Sequence, residues 1–396
     1  MEFGIFIQGY LPGPDAHDSA AEHGMLLEEI EYVRCADANN WKYVWISEHH
    51  ALAEYSHISA SDVVAGYLAA VTERIHISSG IFNLSPRVNH PVRNAERVAM
   101  LDHLTNRRFE FGTGRGAGSH EVATFNIHDT ASTKAEWDEV IWEIVRMWER
   151  KDYTFEGDHF ALDTPHNVLP KPFAPGHPPI WVACGNPATF RKAGEHGIGA
   201  IGFNFSPITE MAGLIGEYKE GIASCTNPVG QFVNDNVMLT NAVRCFADRD
   251  KARSIALRSR NYLYSLVCLY HDTFPKRPGA VTWPEEPPAL PAEFLDPAIE
   301  MGAVLCGNPD EVCEQLKLYE ATGVDQVVFG MPTDMHPDEA LECIETFGKH
   351  VIPEFDRDPV HRTDHMRATA QPKYGPFEHE PPVIDTLMTR AAGGLT

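Results

Sequence analysis

Eight short apolar runs recur along the chain, each followed by a stretch with the three-to-four-residue apolar spacing of an amphipathic helix. The runs are Glu2 to Ile7, Tyr43 to Ile46, Ile75 to Ile77, Arg108 to Phe111, Ile180 to Ala183, Ile198 to Gly202, Val237 to Val243 and Gln326 to Phe329. Strands separated by helices must cross over a helix to reach their neighbours, which makes the sheet parallel. Eight such units close a sheet on itself, so the expected fold class is α/β, a (β/α)8 TIM barrel with insertions and a C-terminal tail.

Three stretches fall outside the alternation. Residues 153–179 read as a hairpin excursion, with Gly157 and Asp158 at the turn and a Pro-rich return. Residues 271–301 carry seven prolines and read as a lid-like insertion over the barrel mouth, with Trp283 as its one candidate for a pocket wall. Residues 356–396 are polar, without periodicity, and read as a tail that wraps the barrel or lacks order, so one domain is expected over 1–355. Asp102, four residues after Val98 on an otherwise apolar helix, is expected in a buried salt bridge to an arginine rather than as a catalytic base.

The formal charge of -24 opposes binding to nucleic acid or to an anionic membrane. No apolar run approaches the roughly 18 residues of a membrane span, and the N-terminus enters a strand without a signal-like segment. The eight cysteines show no C-x-x-C pair and no regular spacing, which suits free thiols in a reducing compartment, so a cytoplasmic location is expected.

In a barrel of this kind chemistry gathers at the carboxyl ends of the strands. There the sequence places Glu48 to His50, Ser79 to Asn83, Gly112 to Gly118 and Cys184 to Thr189. The segment HPVRNAERVAMLDHLTNRRFEFGTGRGAG at 90–118 runs from a helix through a strand into a loop with glycines at 112, 114, 116 and 118 around Arg115. Glycines let backbone N–H groups approach an anion and a guanidinium adds charge-assisted hydrogen bonds, so the loop suits a phosphate. A tight turn with Arg115 paired to a carboxylate explains the same residues. The spacing is not the G-x-G-x-x-G of a dinucleotide site, and no G-x-x-x-x-G-K-[ST] run occurs. Asn186 before Pro187 reads as an N-cap and first helical position, a helix start that also favours an anion. Glu48, His49, His50 and His57 match no zinc or iron spacing, and no metal is expected.

Four segments carry a resemblance over residues 1 to 355: SEHH at 47–50, HPVRNAERVAMLDHLTNRRFEFGTGRG at 90–116, PPIWVACGNPAT at 178–189 and GNPDEVCEQLKLYEATGVDQVVFG at 307–330. The chain resembles the bacterial luciferase-like flavin monooxygenases, which include luciferase subunits and limonene-type monooxygenases. The resemblance implies reduced FMN (FMNH2), delivered by a separate NAD(P)H-dependent flavin reductase. It further implies a flavin C4a-hydroperoxide that passes one oxygen atom from O2 to a small apolar organic substrate by epoxidation, hydroxylation or Baeyer-Villiger insertion, and a homodimer. By the same resemblance His49 is the catalytic histidine and His50 its companion; Arg115 is the phosphate arginine, with Gly116, Ala117 and Gly118 beside it. Gly114 stands where luciferases have a cysteine under the flavin, Cys184, Asn186 and Thr189 form the helix start that shares the phosphate, and Gly80 and Ile81 fall near a non-proline cis peptide under the ring. Arg107 and Arg108 replace the family's Gly-Arg pair, and the missing cysteine at Gly114 points to ordinary oxygenation rather than light emission. A deazaflavin (F420)-dependent oxidoreductase and a non-catalytic flavin-binding barrel are the alternatives on this fold.

Overall fold

The computed structural model describes residues 1–374 apart from 12–14, 16–17, 53–55, 117, 204–206, 259–290 and 332–334, with the backbone alone at 119–120. Ala117, Trp283 and most of the expected lid lie outside the described residues. Of the lid segment, 291–301 is described, as a short 3-10 turn at Ala292–Phe294 and a helix at Leu295–Glu300.

Eight parallel strands close a barrel. They are β1 (Glu2–Ile7), β2 (Tyr43–Ile46), β3 (His76–Asn83), β4 (Phe109–Gly114), β7 (Ile180–Cys184), β8 (Gly199–Phe203), β9 (Val237–Cys245) and β11 (Gln326–Gly330). The order is β9-β11-β1-β2-β3-β4-β7-β8, and β8 pairs back onto β9. Outside the barrel, β5 (Tyr153–Glu156) and β6 (Ala161–His166) form the expected antiparallel hairpin. A three-residue strand absent from the sequence reading, β10 (Leu305–Gly307), extends the end of β9 with Leu305 opposite Val243.

Two strands run further than their apolar residues suggested. β3 continues to Asn83 through a segment expected to be a loop, and β4 continues to Gly114 through two glycines expected to end it. One cause accounts for both. Between Ser79 and Phe82 the register with β4 shifts, three steps on β3 facing two on β4, so β3 bulges toward its partner. A Cβ on Gly112 would lie 2.0 Å from Ser79 O, and one on Gly114 would lie 2.4 Å from Ile81 Cγ2. These glycines therefore admit a neighbouring strand rather than break their own.

The barrel interior is filled. Phe6, Tyr43, Trp45, Trp181, Ile201, Met238 and Val328 form an apolar cluster distinct from the larger core between strands and helices. Trp45 and Trp181 cross edge to face at 5.1 Å. Their polar atoms all reach toward the amino ends of the strands: Trp45 Nε1 donates to Gln326 Oε1 at 2.7 Å, Trp181 Nε1 to Glu110 Oε2 at 2.7 Å and Tyr43 OH to Glu2 Oε2 at 2.7 Å. Buried indoles and phenols need such partners, and these fix the rings as the floor under the barrel mouth.

The segment past 355, expected to be a tail, is to Tyr374 part of the barrel's base. Lys42 pairs with Glu2 at 2.6 Å and with Asp356 at 3.0 Å, and Thr363 Oγ1 donates to Glu110 Oε1 at 2.5 Å. Arg367, fully buried, forks onto Asp102 with two contacts of 2.7 Å and donates to Phe173 O at 2.8 Å. The arginine anticipated for Asp102 thus comes from the far end of the chain. The ring of His76 stacks on that of His361 at 3.7 Å. Burial opposes a proton on His76, but the flanking Asp364 and Glu110 carboxylates outweigh it and raise its pKa to about 9. His76, His361 and Asp364 are the one group with metal-ligand proximity among the described residues. The two rings are within 11° of parallel, so no single ion lies in both ring planes, and a charged imidazolium between carboxylates accounts for the cluster.

Candidate functional site

At the carboxyl ends of the strands a cavity of about 470 Å³ opens over the aromatic floor, a size common for cofactor sites. Nine residues singled out in the sequence line it: His49, Gly80, Ile81, Gly114, Arg115, Gly116, Cys184, Asn186 and Thr189. His50 and Gly118 do not. His50 sits behind Glu48, and Gly118 precedes the short helix Ser119–Ala123.

The loop after β4 brings a cation, Arg115, to the cavity wall. Arg115 NH1 donates to Thr130 O at 3.0 Å and to Thr133 Oγ1 at 3.2 Å, both neutral, so these contacts aim the guanidinium without cancelling its charge. Gly116 turns the chain there with φ +94, and a Cβ on it would lie 2.6 Å from Val122. After β7, Asn186 and Thr189 cap the helix Pro187–Glu195 reciprocally, Thr189 N donating to Asn186 Oδ1 at 3.1 Å and Asn186 N to Thr189 Oγ1 at 3.2 Å. Pro187 has no N–H, which leaves the Ala188 N–H at the cavity wall as a donor the cap does not use. Lys134 and Lys192 also reach the cavity, Lys192 paired with Asp138. In a chain of net charge -24 these cations around a helix start make an anion pocket.

The loop after β2 brings an acid and a histidine to the cavity, Glu48 and His49. His49 Nδ1 lies 3.6 Å from Glu121 Oε2, and its backbone N–H donates to Ile58 O at 3.0 Å. Glu48 lines the cavity beside it, with Oε2 accepting from Ser61 Oγ at 2.6 Å. The neighbouring Glu48 carboxylate, acting against burial, holds His50 above the ordinary histidine range.

Apolar side chains also line the cavity: Phe6, Ile81, Val182, Ile201, Phe203 and Met238. Among them Thr240, 2 % exposed, presents a buried Oγ1 that no group among the described residues satisfies. Such an atom costs about 1–3 kcal/mol unless something bound in the cavity meets it. Cys184 is no nucleophile: burial pushes its thiol up to about 12.

The bond between Gly80 and Ile81 is not cis. The cis peptides among the described residues are Leu169–Pro170 and Ala174–Pro175. At Gly80 and Ile81 the bulge of β3 brings the chain to the cavity wall instead. Trp41, Trp45 and Trp181 pack in cores and do not line the cavity, whereas Trp137 does. Glu121, Lys134, Trp137, Lys192 and Thr240 were not singled out in the sequence. For Thr240 a signal exists, since it stands two residues after Met238 in an apolar strand and so shares its inward face.

Residues 1–326 match the family model described as luciferase-like monooxygenase. The oxygenase component of the flavin-dependent trigonelline monooxygenase of Acinetobacter baylyi is 25% identical over 374 residues, 91% of this chain and 98% of the relative. The F420-dependent glucose-6-phosphate dehydrogenase of Amycolatopsis mediterranei is 24% identical, covering 85% of this chain and 97% of the relative. Among solved structures, the oxygenating constituent of 3,6-diketocamphane monooxygenase from Pseudomonas putida, a type II Baeyer-Villiger monooxygenase in complex with FMN, superposes with a TM-score of 0.72 at 20% identity, covering 89% of this chain and 98% of that one. No helix among the described residues is long and apolar enough to cross a membrane.

Proposed function

The chain belongs to the luciferase-like monooxygenase family and is an enzyme of the flavin-dependent monooxygenase class, and we propose that it is the oxygenase half of a two-component system using reduced FMN. The observation that carries this reading is the set of groups that line one cavity: Arg115, whose side-chain partners among the described residues are neutral, a capped helix start, His49 with Glu48, and apolar side chains. A flavin mononucleotide calls for the same kinds of group, with a dianionic phosphate for the cation and helix start and a flat, largely apolar ring system for the apolar walls. When bound, reduced FMN supplies the two electrons that let O2 deliver one oxygen atom to the substrate and leave the other as water, so that substrate, O2 and FMNH2 become oxygenated substrate, H2O and FMN.

The chain's own residues then have three tasks. Arg115 and the Ala188 N–H hold the phosphate and fix the ring's position along the cavity. Gly112 and Gly114 let the bulged β3 press Ile81 into the wall, and together with Phe6, Ile201 and Met238 this surface keeps water from the ring. His49, oriented by Glu121, gives or takes the proton that the transfer of oxygen requires. The walls suit a small apolar organic substrate, with Thr240 Oγ1 available to a polar atom of ring or substrate.

The absence of a dinucleotide fingerprint supports delivery of reduced FMN by a separate NAD(P)H-dependent reductase, as does the word component in the trigonelline relative's name. The seven cysteines among the described residues form no disulfide, which fits a cytoplasmic setting. The exposed pairs Val63 and Tyr67 on the helix Ser61–Val71, and Met100 and Leu104 on the helix Pro91–Leu104, favour a homodimer across these helices.

Binding tests the phosphate assignment directly. Arg115→Ala removes a charge-assisted contact of about 1.5–3 kcal/mol, so FMN affinity should fall by roughly 10- to 150-fold while riboflavin, which lacks the phosphate, binds nearly as before. Fluorescence titration of both flavins reads the result. Equal losses for the two would place the phosphate elsewhere.

A further inference from the structure

Glu48 and His50 lie two residues apart just past the end of β2, yet only one of them faces the cavity. The Glu48 carboxylate lines it and is 9 % exposed, one oxygen accepting from Ser61 at 2.6 Å and the other lying 3.6 Å from His50 Nε2. The His50 ring is turned the other way, edge-on to Phe125 at 5.0 Å. Glu48 thus stands between His50 and the cavity and offers a route for a proton from one to the other. The 3.6 Å gap is too long for a hydrogen bond, and such contacts commonly tighten when a ligand fills the site.

We propose that Glu48 is a second proton-exchanging group facing the ligand, beside His49, and that His50 is its proton partner and a positioning residue with no contact of its own to flavin or substrate. This rests on the cavity being the flavin site. The step is balanced within the pair: a proton leaves His50 Nε2 for Glu48 Oε1, and Glu48 passes a proton to an acceptor in the cavity, with the reverse path returning it. Among the described residues the titratable groups facing His50 are Glu48 and, more distantly, Glu121, which also faces His49. The Ser61 hydroxyl fixes the carboxylate plane and is satisfied equally by a glutamine side-chain oxygen, so Glu48→Gln removes the charge while keeping the anchor.

The test is a pH titration of the His50 imidazole by 15N NMR in the full chain, assigned by its loss in His50→Gln, with and without oxidised FMN as the probe. His50 should titrate above its ordinary range in the wild type, shift downward in Glu48→Gln, and respond to FMN in the wild type but not in Glu48→Gln. A His50 midpoint indifferent to Glu48→Gln, or an FMN response that survives it, would overturn the proposal. Neither result depends on turnover, so a protein that passes this test yet fails to oxygenate refutes the functional reading alone. In an active enzyme, Glu48→Gln and His50→Gln should remove the same step from the pH profile of oxygen transfer, and the double variant should lose no more than the worse single one. Additive losses would show two independent groups and refute the relay.

Discussion

His49→Ala slows oxygen transfer by about 10²- to 10⁴-fold while FMN affinity stays within a few-fold of the wild type. The separation follows from the geometry. His49 and Arg115 line the same cavity, but they come from different loops, after β2 and β4, and in the proposed reading the phosphate is held by Arg115 and the helix start at Pro187 and not by His49. Removing the imidazole leaves the other lining side chains in place and takes away a group able both to give and to accept a proton. Glu121→Gln, which keeps the shape next to His49 but not the charge, should cost less, because the imidazole remains in place. Single-turnover product formation with photoreduced FMN, beside a flavin binding curve for each variant, checks both. A His49→Ala protein that forms product at the wild-type rate would remove His49 from the chemistry.

Arg367→Ala destabilises the fold by about 3–5 kcal/mol, the usual cost of leaving a buried charge without its partner. Asp102 and Arg367 are both fully buried, and the guanidinium also holds the carbonyls of Phe173 and Pro175. Without it the Asp102 carboxylate keeps only the Phe173 N–H at 2.8 Å, and the base formed by residues 356–374 loses its deepest anchor. Replacing both partners together, as in Asp102→Leu with Arg367→Met, should cost far less than the sum of the single changes, since no charge is then stranded. Urea denaturation midpoints of the three variants measure this. A loss under 1 kcal/mol for Arg367→Ala would mean that the C-terminal segment is not part of the cooperative fold.

The barrel was legible because its signal is repetition: eight apolar runs separated by helical spacing leave little choice of topology. What stayed hidden depends on contacts distant in sequence. Gly112 and Gly114 look like strand breakers by composition, and only the bulge at Ser79 to Phe82 shows why they are strand residues. The segment 356–374 has no periodicity because its side chains answer to individual partners such as Glu110, Glu2 and Asp102 rather than to a shared apolar face. β10, three residues long, is too short to carry a pattern. At the site, the glycine loop, Arg115 and the Asn186 cap could be read locally, since each works through its own spacing. Glu121 and Thr240 could not be read with the same force, because an acid in a helix's first turn and a threonine in a strand are ordinary until the fold sets one against His49 and leaves the other facing an apolar cavity.

The most direct test of the oxygenase reading is stopped-flow absorbance of the purified chain loaded with photoreduced FMN and mixed with oxygenated buffer. The account predicts a transient that outlives free reduced FMN under the same conditions, absorbs like neither reduced nor oxidised flavin, and collapses faster when a competent apolar substrate is present. Reoxidation at the rate of free reduced FMN, with no such transient, would contradict it, and tight binding of F420 by the same protein would then assign the cavity to deazaflavin chemistry.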